Sequence, residues 1–272
     1  MAKQDVTSSP VSHLLRKFVL QHRMGFVLLS LALGILVWQG ITLTGWVPSY
    51  LLPGPFEVAA RFWRALLDGT IPRHFFATLQ EVVPGLLLGS VTASVVGYLI
   101  AKSHVLERLL SPYLVASQAV PVVAIAPLLI IWFGPGITSK ILICALVVFF
   151  PVLVNTVVGL RAVPQNLRDL MRSLRARPWQ MVWYLEIPAA MPVFLGGLRV
   201  GATLSVIGAV VGEFVGADRG LGFLINVARG QYDHPLVFAA VLTLVGMALA
   251  LYGLVLLAER RFLRWQIPNI PR

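Results

Sequence analysis

The chain has 272 residues, of which 58% are hydrophobic and only 12% charged. Soluble domains carry about 25% charged residues, so a soluble globular protein is excluded. The formal net charge is +11, which would suit nucleic acid or a membrane surface until the charges are placed. A single cysteine, Cys144, excludes a disulfide framework within the chain.

Apolar runs of about 20 residues read as membrane-spanning helices. Six are expected, at Met24–Leu43, Thr78–Ala101, Leu109–Phe133, Ile141–Leu160, Pro192–Val215 and Leu236–Ala258. The first is long and has no small-x-small cleavage pattern after it, so it reads as a retained anchor. The organisation is therefore a cytoplasmic segment over 1–23, a membrane domain over 24–260 that includes a cytoplasmic loop at 161–191, and a tail over 261–272. With the N-terminus inside, cytoplasmic segments hold fifteen of the 22 Lys and Arg residues. Six lie outside (Arg61, Arg64, Arg73, Lys140, Arg219, Arg229), and Arg199 falls within a span. That bias places both termini in the cytoplasm. The basic charge is topological, and nucleic acid is not a partner.

The third span contains Pro112, Pro121 and Pro127, each of which removes a backbone hydrogen bond. Such breaks persist at membrane depth where protein or a water-filled cavity surrounds them. It is either a kinked packing helix or a pathway lining with Ser117 and Gln118 facing substrate. Asn155 and Glu213 are the polar residues deepest within their spans, with Glu81 nearer a span start. An ionisable group there is a functional candidate, and Ser117, Gln118, Asn155 and Glu213 are the candidate pathway residues. Against this, Glu213 could pair with Arg199 or cap backbone near GEFVGADRGLG. The many small residues of the fifth span, with a G-x-x-x-G at Gly197 and Gly201, fit close helix packing.

No reaction chemistry is visible. The five histidines have no partner at metal-ligand spacing, and neither a Walker A loop nor a nucleophile motif is present. The chain reads as a conduit or a scaffold, with no metal and no catalytic residue.

Between the fourth and fifth spans lies a segment too broken to cross a bilayer. Leu167, Leu170, Met171 and Leu174 repeat at i, i+3, i+4, i+7, which predicts a helix of about three turns with one apolar stripe. Arg168, Arg172 and Arg175 line another face. Pro178 opens a second short helix with Trp179, Val182 and Trp183 on its apolar side, and Pro188 and Pro192 are expected to stop it. This helical hairpin could lie on anionic lipid, fold back on the bundle, or dock a soluble partner through Trp and Arg anchors.

The stretch DLMRSLRARPWQMVWYLEIPAAMP resembles the EAA loop of permease subunits of bacterial ATP-binding cassette importers. The motif reads EAA, three residues, Gly, nine residues, Ile, one residue, Leu-Pro. Asp169, Leu170 and Met171 take the EAA place, Arg175 the glycine, Leu185 the isoleucine, and Ile187 and Pro188 the Leu-Pro. Both alanines are replaced by larger residues. If the motif glycine occupies a left-handed turn, Arg175 costs about 1–2 kcal/mol there.

The likeness extends from about Leu51 to Trp265 through LLPGPFEV, APLLIIWFGPGITSK, FFPVLVNTVVGLRAVP, GEFVGADRGLGFLI and ERRFLRW. These are similar to the nitrate/sulfonate/taurine branch, and most similar to its riboflavin and thiamine-pyrimidine-precursor members. The resemblance implies an all-α, six-span permease of the type I importer kind in the bacterial inner membrane. It implies that Asp169, Leu170, Met171, Leu174, Arg175, Trp179, Trp183, Leu185, Ile187 and Pro188 couple to cytoplasmic ATPase subunits. It further implies a second permease copy, an extracytoplasmic substrate-binding protein, and no cofactor on this chain, ATP-Mg being held by the ATPases. An ion-coupled secondary transporter would instead need inverted repeats and paired ionisable groups near the midplane.

Overall fold

The protein is described by a computed structural model covering residues 23–48, 50–103, 105–110, 112 and 121–263. Every regular element among these residues is helical. In chain order they are α1 (Arg23–Leu43), α2 (Pro55–Leu67), α3 (Thr70–Lys102), α4 (Val122–Phe133), α5 (Ile137–Arg161), α6 (Gln165–Ser173), α7 (Pro178–Met181), a π-helical turn (Val182–Glu186), α8 (Ile187–Gly216), α9 (Leu221–Gly230) and α10 (His234–Phe262).

The chain divides into two compact units, residues 1–61 and 62–272. In the first, α1 is apolar on all sides and exposes Phe26, Leu29, Leu33 and Leu36, the pattern of a helix surrounded by lipid. It coincides with the expected first span.

In the second unit, four helical courses are long and apolar enough to cross a membrane: Thr70–Lys102, Ile137–Arg161, Pro178–Gly216 and His234–Phe262. They are the expected second, fourth, fifth and sixth spans. The third expected span is represented by α4 at its end, and Ser117 and Gln118 lie outside the described residues.

The fifth span corrects the sequence reading. Pro188 and Pro192 do not stop the preceding helix, because Pro178–Gly216 is one continuous helical course of 39 residues. The π turn makes this possible. The Ile187 N–H donates to the Val182 carbonyl, an i→i−5 bond, so the helix rewinds locally just where Pro188 brings no N–H of its own.

The middle of the second unit is α5, held between α3 and α8 by glycines that allow backbone to meet side chain. From α3, a Cβ at Gly85 would overlap the Cβ of Cys144, and one at Gly97 would lie 2.9 Å from Thr156. From α8, Cβ atoms at Gly197, Gly201 and Gly208 would lie 2.6 Å from Asn155, 3.1 Å from Val148 and 3.1 Å from Cys144. Ala93, Ile100, Val148, Val152 and Leu153 fill the remaining space. The G-x-x-x-G in the fifth span is thus one edge of this contact. Cys144 is fully buried in the seam.

Overpacking of this kind costs about 1–3 kcal/mol or more. Gly85→Leu is expected to lower the thermal unfolding midpoint in detergent by several degrees. Gly246→Ala, on α10 with nothing within 4 Å of the added carbon, is expected to leave it unchanged. Equal midpoints for the two variants would refute the seam.

Candidate functional site

The segment between α5 and α8 forms the expected hairpin. Pro164 precedes α6 in extended conformation (φ −60°, ψ 136°), which a proline adopts without strain. α6 is nine residues long, shorter than expected, because Leu174 closes it. The Arg175 N–H donates to the Arg172 carbonyl at 2.9 Å and the Ala176 N–H to the Met171 carbonyl at 3.0 Å. These are the two bonds of a Schellman cap, whose next residue must be left-handed. That residue is Arg175, with φ 54°. The residue at the motif's glycine place does sit where glycine would be unstrained.

The hairpin does not fold back onto the bundle, for neither α6 nor α7 has a buried residue. Leu174 is 69% exposed and Trp183 65%, with Leu170, Trp179 and Tyr184 also exposed. Met171 is half-buried, and Leu185, Ile187 and Pro188 are half-buried where the course turns toward the membrane. Asp169 is exposed and accepts from Arg172 at 3.3 Å and Gln165 at 3.1 Å, so it belongs to a surface network.

Two polar ties that sequence reasoning missed fix the hairpin to the spans, and a third joins the end of α5 to Glu107. Arg168 Nη2 donates to the Leu160 carbonyl at the end of α5, at 2.8 Å. Glu186, 1% exposed, pairs with Lys102 at the end of α3 at 2.5 Å. Arg161 pairs with Glu107. Glu186 is buried while the Lys102 side chain is 43% exposed; without Lys102 the Glu186 carboxylate would stay buried and unpaired, so the pair ties the hairpin's return to α3. The one sequence signal was an acid, Glu186, flanked by apolar residues at a span edge.

The pathway candidates are placed as follows. Asn155 Nδ2 donates to the Pro151 carbonyl at 2.8 Å, and its side chain fills the α5–α8 contact at Gly197. Glu213, 1% exposed, holds the start of α9. It accepts from Thr78 Oγ1 at 2.7 Å and from the N–H groups of Gly222 and, at 3.4 Å, Phe223. Thr78 Oγ1 in turn accepts from the Leu221 N–H at 2.8 Å, and His74 Nδ1 from the Gly220 N–H at 3.0 Å. The amides that begin a helix have no partner inside it, and here the N-cap and the next three are all satisfied. The carboxylate also lies at the positive end of the helix dipole. Gly220 has φ 117°, and any Cβ there would overlap the Glu213 carboxylate. Of the two structural readings of Glu213, capping holds, while Arg199 pairs instead with Glu259 at 3.2 Å.

Lys140, expected in an outer loop, is instead the fourth residue of α5 and 3% exposed. Its ammonium faces Glu81 at 3.7 Å and donates to the Pro135 carbonyl at 3.3 Å. Burial is possible because the opposite charge of Glu81 is buried beside it.

Residues 85–264 match the family of binding-protein-dependent transport system inner membrane components. The chain belongs to this family. The permease is 48% identical over 238 residues, 87% of its length and 88% of the relative's, to the riboflavin transport system permease protein of Chloroflexus aurantiacus. It is 36% identical to the formylaminopyrimidine transport permease protein of Halalkalibacterium halodurans, over 80% of this chain and 86% of that one. In fold it is similar to the methionine ABC transporter MetNI, with TM-score 0.57, 21% identity, and coverage of 70% of this chain and 92% of that one. The permease is therefore a multi-pass inner-membrane subunit of an ATP-binding cassette importer and not an enzyme.

Two outcomes follow for the permease. Arg175→Gly relieves a left-handed non-glycine residue and is expected to raise the stability of the hairpin by up to about 1 kcal/mol, read as slower amide exchange over residues 165–178. Thr78→Val strands the Leu221 N–H and a Glu213 oxygen, at about 1–3 kcal/mol each. It is expected to increase exchange at the start of α9 while the hairpin is unaffected. Unchanged exchange in either segment would contradict the corresponding geometry.

Proposed function

We propose that this permease, as a homodimer, forms the translocation pathway for a vitamin or vitamin precursor, either riboflavin or a pyrimidine precursor of thiamine. The observation that carries the substrate class is the 48% identity, across nearly the whole of both chains, to a relative named for riboflavin transport. An extracytoplasmic binding protein delivers the substrate, two cytoplasmic ATPase subunits bind ATP-Mg, and both termini of the permease are cytoplasmic.

The ATPases dock on the α6–α7 hairpin through Leu170, Leu174, Trp179 and Trp183, with Asp169 and Arg175 at the rim. The exposed apolar side chains support this, since a Trp in a desolvated pocket is a common anchor. A displacement of the hairpin passes through Arg168 to α5 and through Glu186 to α3. The glycine-packed α3, α5 and α8 then respond together. ATP binding shifts the balance between inward- and outward-open states only by as much as the ATPases grip one state better than the other.

The test is a proteoliposome holding the permease with its ATPase and binding protein, supplied with labelled riboflavin, formylaminopyrimidine or taurine. ATP-dependent accumulation of one of the first two is the expected result. Accumulation of taurine alone would move the protein to the sulfonate class, and uptake that ignored ATP would indicate ion coupling. In the same preparation, the double variant Asp169→Arg, Trp183→Ala is expected to abolish substrate-stimulated ATP hydrolysis while the spans remain folded. Unchanged stimulation would leave the hairpin as a lipid-facing element.

A further inference from the structure

We infer that His74 is a pH-sensitive latch on α9: as the neutral imidazole it holds the first turn of α9 against α3, and on taking up a proton it releases that turn. The inference goes beyond the importer reading and rests on neither its substrate nor its partners. The Gly220 N–H donates to His74 Nδ1 at 3.0 Å. Nδ1 is therefore an acceptor, and the hydrogen of the neutral ring is on Nε2. A second proton has only Nδ1 to bind, and two N–H groups would then face each other with no acceptor between them.

The neighbouring acceptors do not take over the lost bond. Gly220 is the N-cap of α9, and the groups near it are engaged. Thr78 Oγ1 accepts from the Leu221 N–H at 2.8 Å, and the Glu213 carboxylate accepts from Thr78 and from the Gly222 and Phe223 amides. The charges around the ring are few. On the same helix Arg73 places a cation beside it. From α8 comes Glu213, already committed to the start of α9. From α9 comes the Phe223 ring, stacked on the imidazole at 5.8 Å, with the positive end of the helix dipole behind it. The turn into α9 carries Asp218 and Arg219, opposite in sign. A protonated ring would lose its acceptor and add a second positive charge next to Arg73.

His74 is half-buried, so solvent protons reach it. The released imidazole binds a proton more readily than the latched one, whose lone pair is taken. Stability of the α9 start is therefore complete where the ring is neutral, and it is lost as pH falls through the histidine range, between about pH 8 and pH 5. Just before Gly220, Ala217, Asp218 and Arg219 line a cavity of about 570 Å³ together with Glu81 and Lys140. The latch thus sets how firmly one wall of that cavity is held. With the topology proposed above, α9 meets the extracytoplasmic medium, whose pH the cell does not buffer.

The experiment is amide exchange over residues 219–224 of the full-length permease in lipid nanodiscs, at steps between about pH 8 and pH 5. Rates are expressed as protection relative to an unstructured chain, so that the intrinsic pH dependence of exchange cancels. The wild type is expected to lose about tenfold in protection there on acidification, the size set by one hydrogen bond, while α5 around Val148 and Val152 keeps its own. His74→Asn keeps an oxygen acceptor at the position of Nδ1 and does not titrate, so its protection is expected to stay high at every pH. His74→Phe keeps the stack on Phe223 without the acceptor, and is expected to be weakly protected at every pH. Should His74→Phe fail to fold, nitrogen-15 shifts of histidine-labelled permease take its place. They are expected to show hydrogen on Nε2 alone at high pH and on both nitrogens at low pH. Wild-type protection that does not change with pH, or hydrogen on Nδ1 at high pH, would overturn the latch. So would an acid-induced loss that persists in His74→Asn, since Glu213 would then be the titrating group.

Discussion

The rest of the structure depends on how closely α5 approaches α3 and α8. Lipid tails are as apolar as leucine, so burial from water contributes little to holding spans together, and close packing has to do it. Glycine supplies that closeness from both sides of α5, at Gly85, Gly89 and Gly97 on α3 and at Gly197, Gly201, Gly208 and Gly212 on α8. The result is a body of three helices in which a shift of one is felt by the others, because close-packed interiors have few voids to absorb it.

The charged and polar groups sit where this body ends. At one end Glu213, Thr78 and His74 hold α9, and Glu81 and Lys140 pair across α3 and α5. At the opposite end Lys102, Glu186 and Arg168 hold the hairpin, and Arg161 at the end of α5 pairs with Glu107. Apart from the tie of Arg168 to Leu160, eight positions away, and the contacts of Glu213 with the start of α9, these sites join segments that are neighbours in space rather than in sequence. The seam sets the distance between the helices, and the end groups set how their ends are held relative to one another.

Much of this was legible in the chain. Hydropathy located the spans, because a bilayer imposes a minimum length of apolar residues. The stripe of Leu167, Leu170, Met171 and Leu174 revealed α6, and the place of Arg175 in the motif anticipated its left-handed backbone. The polar ties were not legible, since Lys102 and Glu186 are 84 positions apart and Thr78 and Glu213 are 135 apart. No local pattern encodes such pairs. Lys140 was misplaced for a related reason: beside the Gly-Pro-Gly turn it reads as a loop cation, and only Glu81 on another helix makes its burial affordable. Pro188 was read as a stop because the rule for prolines assumes an α-helical ladder, and a single π turn changes the ladder.

That π turn decides what kind of motion the hairpin can deliver. Had a loop joined the hairpin to the fifth span, twisting of the hairpin would be lost as bending of the loop. Instead the helical course from Pro178 to Gly216 is unbroken over 39 residues, about 58 Å at the rise of an α-helix. A partner that grips Trp179 and Trp183 on one side of the membrane holds the near end of the same rod whose far end carries Glu213. Hairpin and polar cluster therefore belong to one helical course, and the π turn, Pro188 and Pro192 mark where that course can bend.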